Sequence, residues 1–217
     1  MTCNLAVAIT KAALIDERLK ALLDQHLDQV TLLLARYLQR RHPQLAIDSN
    51  QARIGKLTLG EGLVVELAQG TVSITGVSTS RTAQYMEDLS QEASTFLTLV
   101  ADQLFTQEVE GVLRQVGRLT AKQTSDVEDA GGAQRATIYS LQIANLKVRV
   151  FVLPQGKLQI FVDTGTFNQA KTATLVILRD LQAQGLEVQL TSEVEQHRDD
   201  VDHVHVRQAH QRGGGPV

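Results

Sequence analysis

Between residues 11 and 41 the positions Leu19, Leu23, His26, Val30, Leu33 and Tyr37 follow one another in alternating steps of four and three, with Leu22, Leu27 and Leu34 widening the stripe. That period predicts one long amphipathic N-terminal helix, stopped at His42-Pro43, where the ring of proline disfavours a helical residue before it. Arg36, Arg40 and Arg41 fall at its C-terminal end, where the helix dipole favours positive charge. The stripe is wider than a thin sheet edge requires, so Leu19, Leu23, Val30 and Leu33 are candidates for self-association and the chain for a homo-oligomer. His26 on the stripe reads as a packed edge histidine, not a ligand.

The period then changes from helix to strand. "VVELAQGTVSITGVSTS" (64–80) and "VFVLPQGKLQIFVDTGT" (150–166) align without gaps, matching Val64 to Val150, Gln69-Gly70 to Gln155-Gly156 and Ile74 to Ile160. Each predicts strand, tight turn and strand. The turns suit a type I geometry with a left-handed third residue, for which Gly70 and Gly156 pay no Cβ penalty; their role is turn chemistry, not phosphate binding. A helix follows each hairpin. Met86, Leu89, Ala93, Phe96, Leu97, Val100 and Leu104 make the first apolar face, capped at Thr79 or Ser80; Ala170, Thr174, Ile177 and Leu181 make the second. Thr166 and Gln169 have capping-box spacing and Gly185 supplies a stop, after which Leu186, Val188 and Leu190 alternate as a closing strand. A further strand is expected near residues 136–143. The acidic, glycine-rich run at 125–132 reads as an exposed loop and a soft boundary.

The expected fold class is therefore α+β, with two repeated β-hairpin-plus-helix units, antiparallel sheet and the long N-terminal helix. The expected division is 1–43 for that helix, 44–124 for the first unit, 133–192 for the second and 193–217 for a His/Asp/Gly-rich tail. Whether the two units share one sheet is left open by the pattern.

With 43% hydrophobic residues in 217, the chain can bury a sizeable core, but with 4% aromatics and no Trp it offers few stacking surfaces for single-stranded nucleic acid. A formal charge of −3 and isolated Lys147 and Arg149 give no basic face, which argues against nucleic acid as a partner. The single cysteine, Cys3, has no second thiol to pair with; together with a start lacking a basic leader and no apolar run of membrane-spanning length, this predicts a cytoplasmic protein.

The second unit, "VRVFVLPQGKLQIFVDTGTFNQAKTATLVILRDL", resembles a small bacterial and cyanobacterial family of unknown function in its strand, turn, strand, Gly-Phe-type junction and helix. Gln155 stands where that family has Asp. The middle, "FTQEVEGVLRQVGRLTAKQTSDVEDAGGAQRATIYSLQI", is similar to a companion family encoded in cyanobacteria and plastids. Those families occur beside AAA-type ATPases, so the resemblance implies an accessory or adaptor role with an AAA-type ATPase as a protein partner.

No G-x-S-x-G elbow, P-loop or G-x-G-x-x-G motif is present, and the "GEG" at 60–62 fits a hairpin loop, so a non-catalytic chain is expected. The one metal-like pattern is in the tail. In an extended "VDHVHV", His203 and His205 share a face and Asp202 or Asp200 lies beside them, a donor set sufficient for Zn or Ni but without a specific spacing. The competing expectation is a solvated end whose removal after Arg198 leaves the fold intact. The Arg-Gly-Gly run at 212–214 also resembles the tail of ubiquitin-like modifiers, although Pro216-Val217 would have to be trimmed. Two functional expectations follow: an accessory, adaptor or scaffold protein working through protein contacts, or a small-molecule or metal-binding protein with its site between the units or in the tail.

Overall fold

The computed structural model describes residues 8–14, 16–44, 55–59, 63–75, 80–129, 132–186 and 188–195. Helices and antiparallel sheets together make an α+β fold, and the start of the chain departs from its helical period. β1 (Ala8–Leu14) is a strand, although its alanines favour a helix. It lies between β8 (Lys157–Val162) and β9 (Val188–Glu195), antiparallel to both, so strands distant in sequence satisfy its backbone on both sides. Tertiary pairing overrides local preference here.

The expected single helix over residues 11–41 is thus a strand followed by two helices, α1 (Asp16–Gln25) and α2 (Leu27–Arg41). They meet at His26 (φ −110°, ψ 26°), whose N–H donates to the Leu22 carbonyl at 3.3 Å while its own carbonyl accepts from Val30 at 2.9 Å. One residue off helical geometry bends the stripe without ending its hydrogen bonding. Arg40 and Arg41 do occupy the last turn of α2.

β2 (Lys56–Thr58), β3 (Val64–Ala68) and β4 (Thr71–Thr75) form a three-stranded antiparallel meander. α3 (Ser80–Val116) follows, 37 residues long and therefore about 55 Å at 1.5 Å per residue. β5 (Arg118–Asp129), β6 (Gly132–Ile143), β7 (Leu146–Leu153) and β8 continue as a second meander, and α4 (Phe167–Ala183) leads to β9. The six-stranded sheet runs in the order β5-β6-β7-β8-β1-β9. Of the run expected as a loop at 125–132, the described residues 125–129 and 132 are instead paired strand at the end of β5 and the start of β6, because Ser125 pairs with Ala136 and Asp129 with Gly132.

Both hairpins appear where the turns predicted them, in different sheets. In the first, Ala68 pairs with Thr71, and Gln69 (φ 51°) and Gly70 (φ 65°) form a two-residue loop. Positive φ at both central residues is the type I′ pattern, which matches strand twist better than the expected type I. In the second, Leu153 pairs with Lys157 across Pro154, Gln155 (φ 60°) and Gly156 (φ 67°), so proline enlarges the loop by one residue. The α4 cap is as its spacing predicts: the Thr166 hydroxyl accepts from Gln169 N–H, and the Gln169 side chain accepts from Thr166 N–H. Gly185 (φ 81°) follows the helix end. Of the two cap candidates for α3, Thr79 lies outside the described residues.

α3 joins the two sheets through its inner face. Leu89, Ala93, Leu97, Leu104, Phe105, Val109 and Leu113 are buried in one cluster with Leu34 and Leu38 of α2, Val65 of β3, Tyr139 of β6, Val150 of β7, Ile160 of β8 and Ile177 of α4. A smaller cluster of Ala136, Ile138, Phe151 and Leu153, with Val127 and Phe161 against it, lies on the opposite face of the six-stranded sheet, as strand alternation requires. Leu23 (6% exposed) and Val30 (1%) belong to the main core, with Leu19 and Leu33 packed against it. Burial within one subunit thus accounts for their apolar character without a second copy.

Candidate functional site

Each hairpin turn is held by an aspartate from a helix. The Gly70 N–H donates to Asp24 Oδ1 of α1 at 3.1 Å, and the Gln155 N–H donates to Asp102 Oδ1 of α3 at 2.7 Å, with the Gly156 N–H also bonded to Asp102. A left-handed turn points successive N–H groups outward, which is why a carboxylate fits there. Lys20, one helical turn before Asp24, packs its stem against Gly70: a Cβ there would lie 2.5 Å from Lys20 Cβ. The turns of both hairpins therefore converge on the α1–α3 side of the molecule.

Between them lies an open cleft of about 730 Å³, lined by Leu19, Lys20 and Leu23 of α1, Thr71 and Val72 of β4, Leu97, Thr98 and Asp102 of α3, and Gln155. A second cleft of about 760 Å³ lies on the other side of α3, between Leu99, Asp102 and Thr106 on the helix and Lys122, Thr124 and Arg135 on the β5–β6 hairpin. Asp102 lines both. On the outer side of α3, Thr98 lines the first cleft and Leu99 the second, and Leu99 is 64% exposed, the largest value among the exposed large hydrophobic residues described.

Charge around this surface is set by two carboxylates. Burial pushes the Asp102 carboxyl above its ordinary value, opposed by the hydrogen bonds from Gln155 and Gly156 N–H. Glu110, two turns further along α3, receives Lys122 Nζ at 2.5 Å, Arg114 Nη2 at 2.6 Å and the Tyr139 hydroxyl at 3.1 Å. Those bonds, Lys122 first, lower its carboxyl to about 2 against a modest cost of burial. Burial first, then the nearby Glu110 charge, pushes the Tyr139 phenol upward. Lys122 also sits 5.4 Å from the centre of the Tyr139 ring. A third carboxylate, Glu92, accepts from Arg41, His42 and Tyr37 and fastens α2 to α3; burial raises it, but the three bonds prevail and hold it below its usual range.

Chemically the surface offers one buried-leaning acid, apolar contact at Leu99 and cations at the rims. Among the described residues no group of three or more His, Cys, Asp or Glu side chains could hold a metal ion, and no helix is long and apolar enough to cross a membrane. His203, His205 and Asp202 lie outside the described residues, as does Cys3. Gly70 and Gly156 are the turn residues expected. Sequence reasoning missed Asp102, whose partner Gln155 is 53 positions away; its one local signal is a carboxylate beside Ala101 at the margin of the apolar stripe. Comparison of the chain with protein-family models, curated proteins and solved structures finds no match.

Proposed function

We propose that this chain is a non-catalytic adaptor or scaffold whose α3 ridge receives a segment of a partner protein. The observation that carries the reading is Leu99, exposed on a long rigid helix between two open clefts that share Asp102. Rigid anchors flanked by concave, mixed polar and apolar ground are what protein contacts use, whereas small molecules favour deeper enclosure. An apolar partner side chain would pack beside Leu99 and a partner donor would reach Asp102. The resemblance to families encoded beside AAA-type ATPases makes such an ATPase the first candidate, in a cytosolic setting consistent with a single cysteine. The two units, β2-β3-β4-α3 and β6-β7-β8-α4, are read as a duplicated meander-plus-helix pattern, supported by matching left-handed Gln-Gly turns each bonded to a helical aspartate.

A second reading has its own observation: the first cleft lies between the turns of the two units and mixes Leu23, Val72 and Leu97 with Lys20 and Asp102, which suits a small amphipathic ligand. Purification from the native host of the wild-type chain and of Leu99→Glu separates the readings. A protein retained stoichiometrically by the wild type and lost from the variant supports the adaptor. A small molecule seen by native mass spectrometry on both, with no stable protein, supports the alternative.

A further inference from the structure

β5 closes one end of the six-stranded sheet, so its outer backbone groups have no strand partner among the described residues, and the side chains from Thr120 to Asp126 are all exposed. We infer that this edge pairs with β5 of a second copy, antiparallel about a two-fold axis at Thr124, joining two six-stranded sheets into one.

The charge along the strand selects the partner. Its sequence, "RLTAKQTSDVED", is basic in its first half and acidic in its second. Antiparallel pairing with itself sets basic against acidic, whereas a parallel copy would align like charges. Directly opposed residues in an antiparallel pair must have the same hydrogen-bonding orientation, so the axis passes through a residue and not between two. With Thr124 on the axis, Lys122 of each copy faces Asp126 of the other, Ala121 faces Val127 and Gln123 faces Ser125. Moving the axis to Ser125 would oppose Asp126 to Thr124, and moving it to Gln123 would carry Asp126 onto Thr120, where the β5–β6 register shifts. A bulge disrupts regular pairing, so it bounds the usable edge on that side.

Edge strands commonly carry a lysine that blocks such pairing. Lys122 is placed otherwise. Its ammonium is drawn to Glu110 and over the Tyr139 ring, on the face of the sheet that carries α3. Glu110 shares its one negative charge between Arg114 and Lys122, so this group keeps a net positive charge for Asp126 of the other copy. Asp126 is in turn opposite Arg135 within its own sheet. The pairing thus continues a row of alternating charge across the axis, in which opposite-charge cross-strand pairs stabilise a sheet. Because Lys122 and Thr124 also line the second cleft, the clefts of the two copies would meet at the axis. This assembly stands on the strand edge alone and does not depend on what the α3 ridge binds.

The test is sedimentation velocity on the full chain. The wild type should run as a dimer, Asp126→Lys and Lys122→Glu each as a folded monomer, and their equimolar mixture as a dimer again, since mixing restores opposite charges at both contacts. Should either variant lose its circular dichroism spectrum, Thr124→Cys in a Cys3→Ser background decides: mild oxidation should give a disulfide-linked dimer, because Thr124 faces its own copy across the axis. A monomeric wild type, a dimer indifferent to both charge reversals, or no cross-link through position 124 would overturn the assignment.

Discussion

Glu110 illustrates how one side chain couples an element to a sheet. Its partners Arg114 and Lys122 are 61% and 49% exposed, so solvent screens part of the attraction and its contribution is about 1–2 kcal/mol. The folded carboxyl titrates at about 2 and the unfolded one near 4.5, so this stability is fully present above the unfolded value and is lost as pH falls from there toward 2. Asp102 acts in the opposite sense: its folded value is raised, so its ionised form is the costly one and acid relieves it. Urea midpoints measured across the acid range should therefore fall less steeply for Glu110→Gln than for the wild type. Parallel acid limbs would mean that Glu110 does not carry the linkage. A second residue makes a prediction of opposite sign. The Thr174 hydroxyl is buried on the inner face of α4 with no hydrogen-bond partner among the described residues. Thr174→Val keeps the shape and removes the unmet polar group, and should raise stability by about 1 kcal/mol. A loss of similar size would mean that the hydroxyl has found a partner in solution.

At the scale of elements, the turns and caps carry the architecture because their chemistry is local. Gly70→Ala meets both a left-handed φ and the backbone and stem of Lys20, so it should destabilise by about 2 kcal/mol or more. Thr166→Ala removes half of a capping box and should cost about 1 kcal/mol. Equilibrium unfolding of the two variants checks that order. The same locality explains what could be read from sequence: Gln69-Gly70 and Gln155-Gly156 announce the place of a turn and its left-handed glycine, though not the positive φ of each glutamine, and the Thr166–Gln169 pair announces its cap. β1 could not be read that way, since "AITKAAL" becomes a strand only by lying between β8 and β9, which arrive some 140 or more positions later. β5 was hidden for a different reason. With every side chain from Thr120 to Asp126 exposed, an edge strand leaves no alternation of polar and apolar residues to find, and its polar run resembles a loop. The break at His26 was equally silent, because the apolar stripe passes through it unbroken.

For the whole molecule, α3 is the spine: one helix against both sheets, with three of its carboxylates tied to different neighbours, Glu92 to α2, Asp102 to the second hairpin turn and Glu110 to β5 and β6. Such an element holds its exposed side fixed, and a fixed apolar residue binds with little ordering cost. Leu99→Glu should accordingly leave the thermal unfolding free energy within about 0.5 kcal/mol of wild type. Its effect should appear in partner affinity, as a weakening of about thirtyfold, the size of a single binding hot spot of about 2 kcal/mol. The α3 ridge as the partner-binding surface is tested most directly by a photo-activated cross-linking amino acid placed at Leu99 in the native host, with Leu175 of α4, 51% exposed, as the control position. The expected result is a discrete protein adduct from position 99, reduced by Asp102→Asn, and none from position 175; equal labelling at both positions, or no adduct at 99, would contradict the assignment.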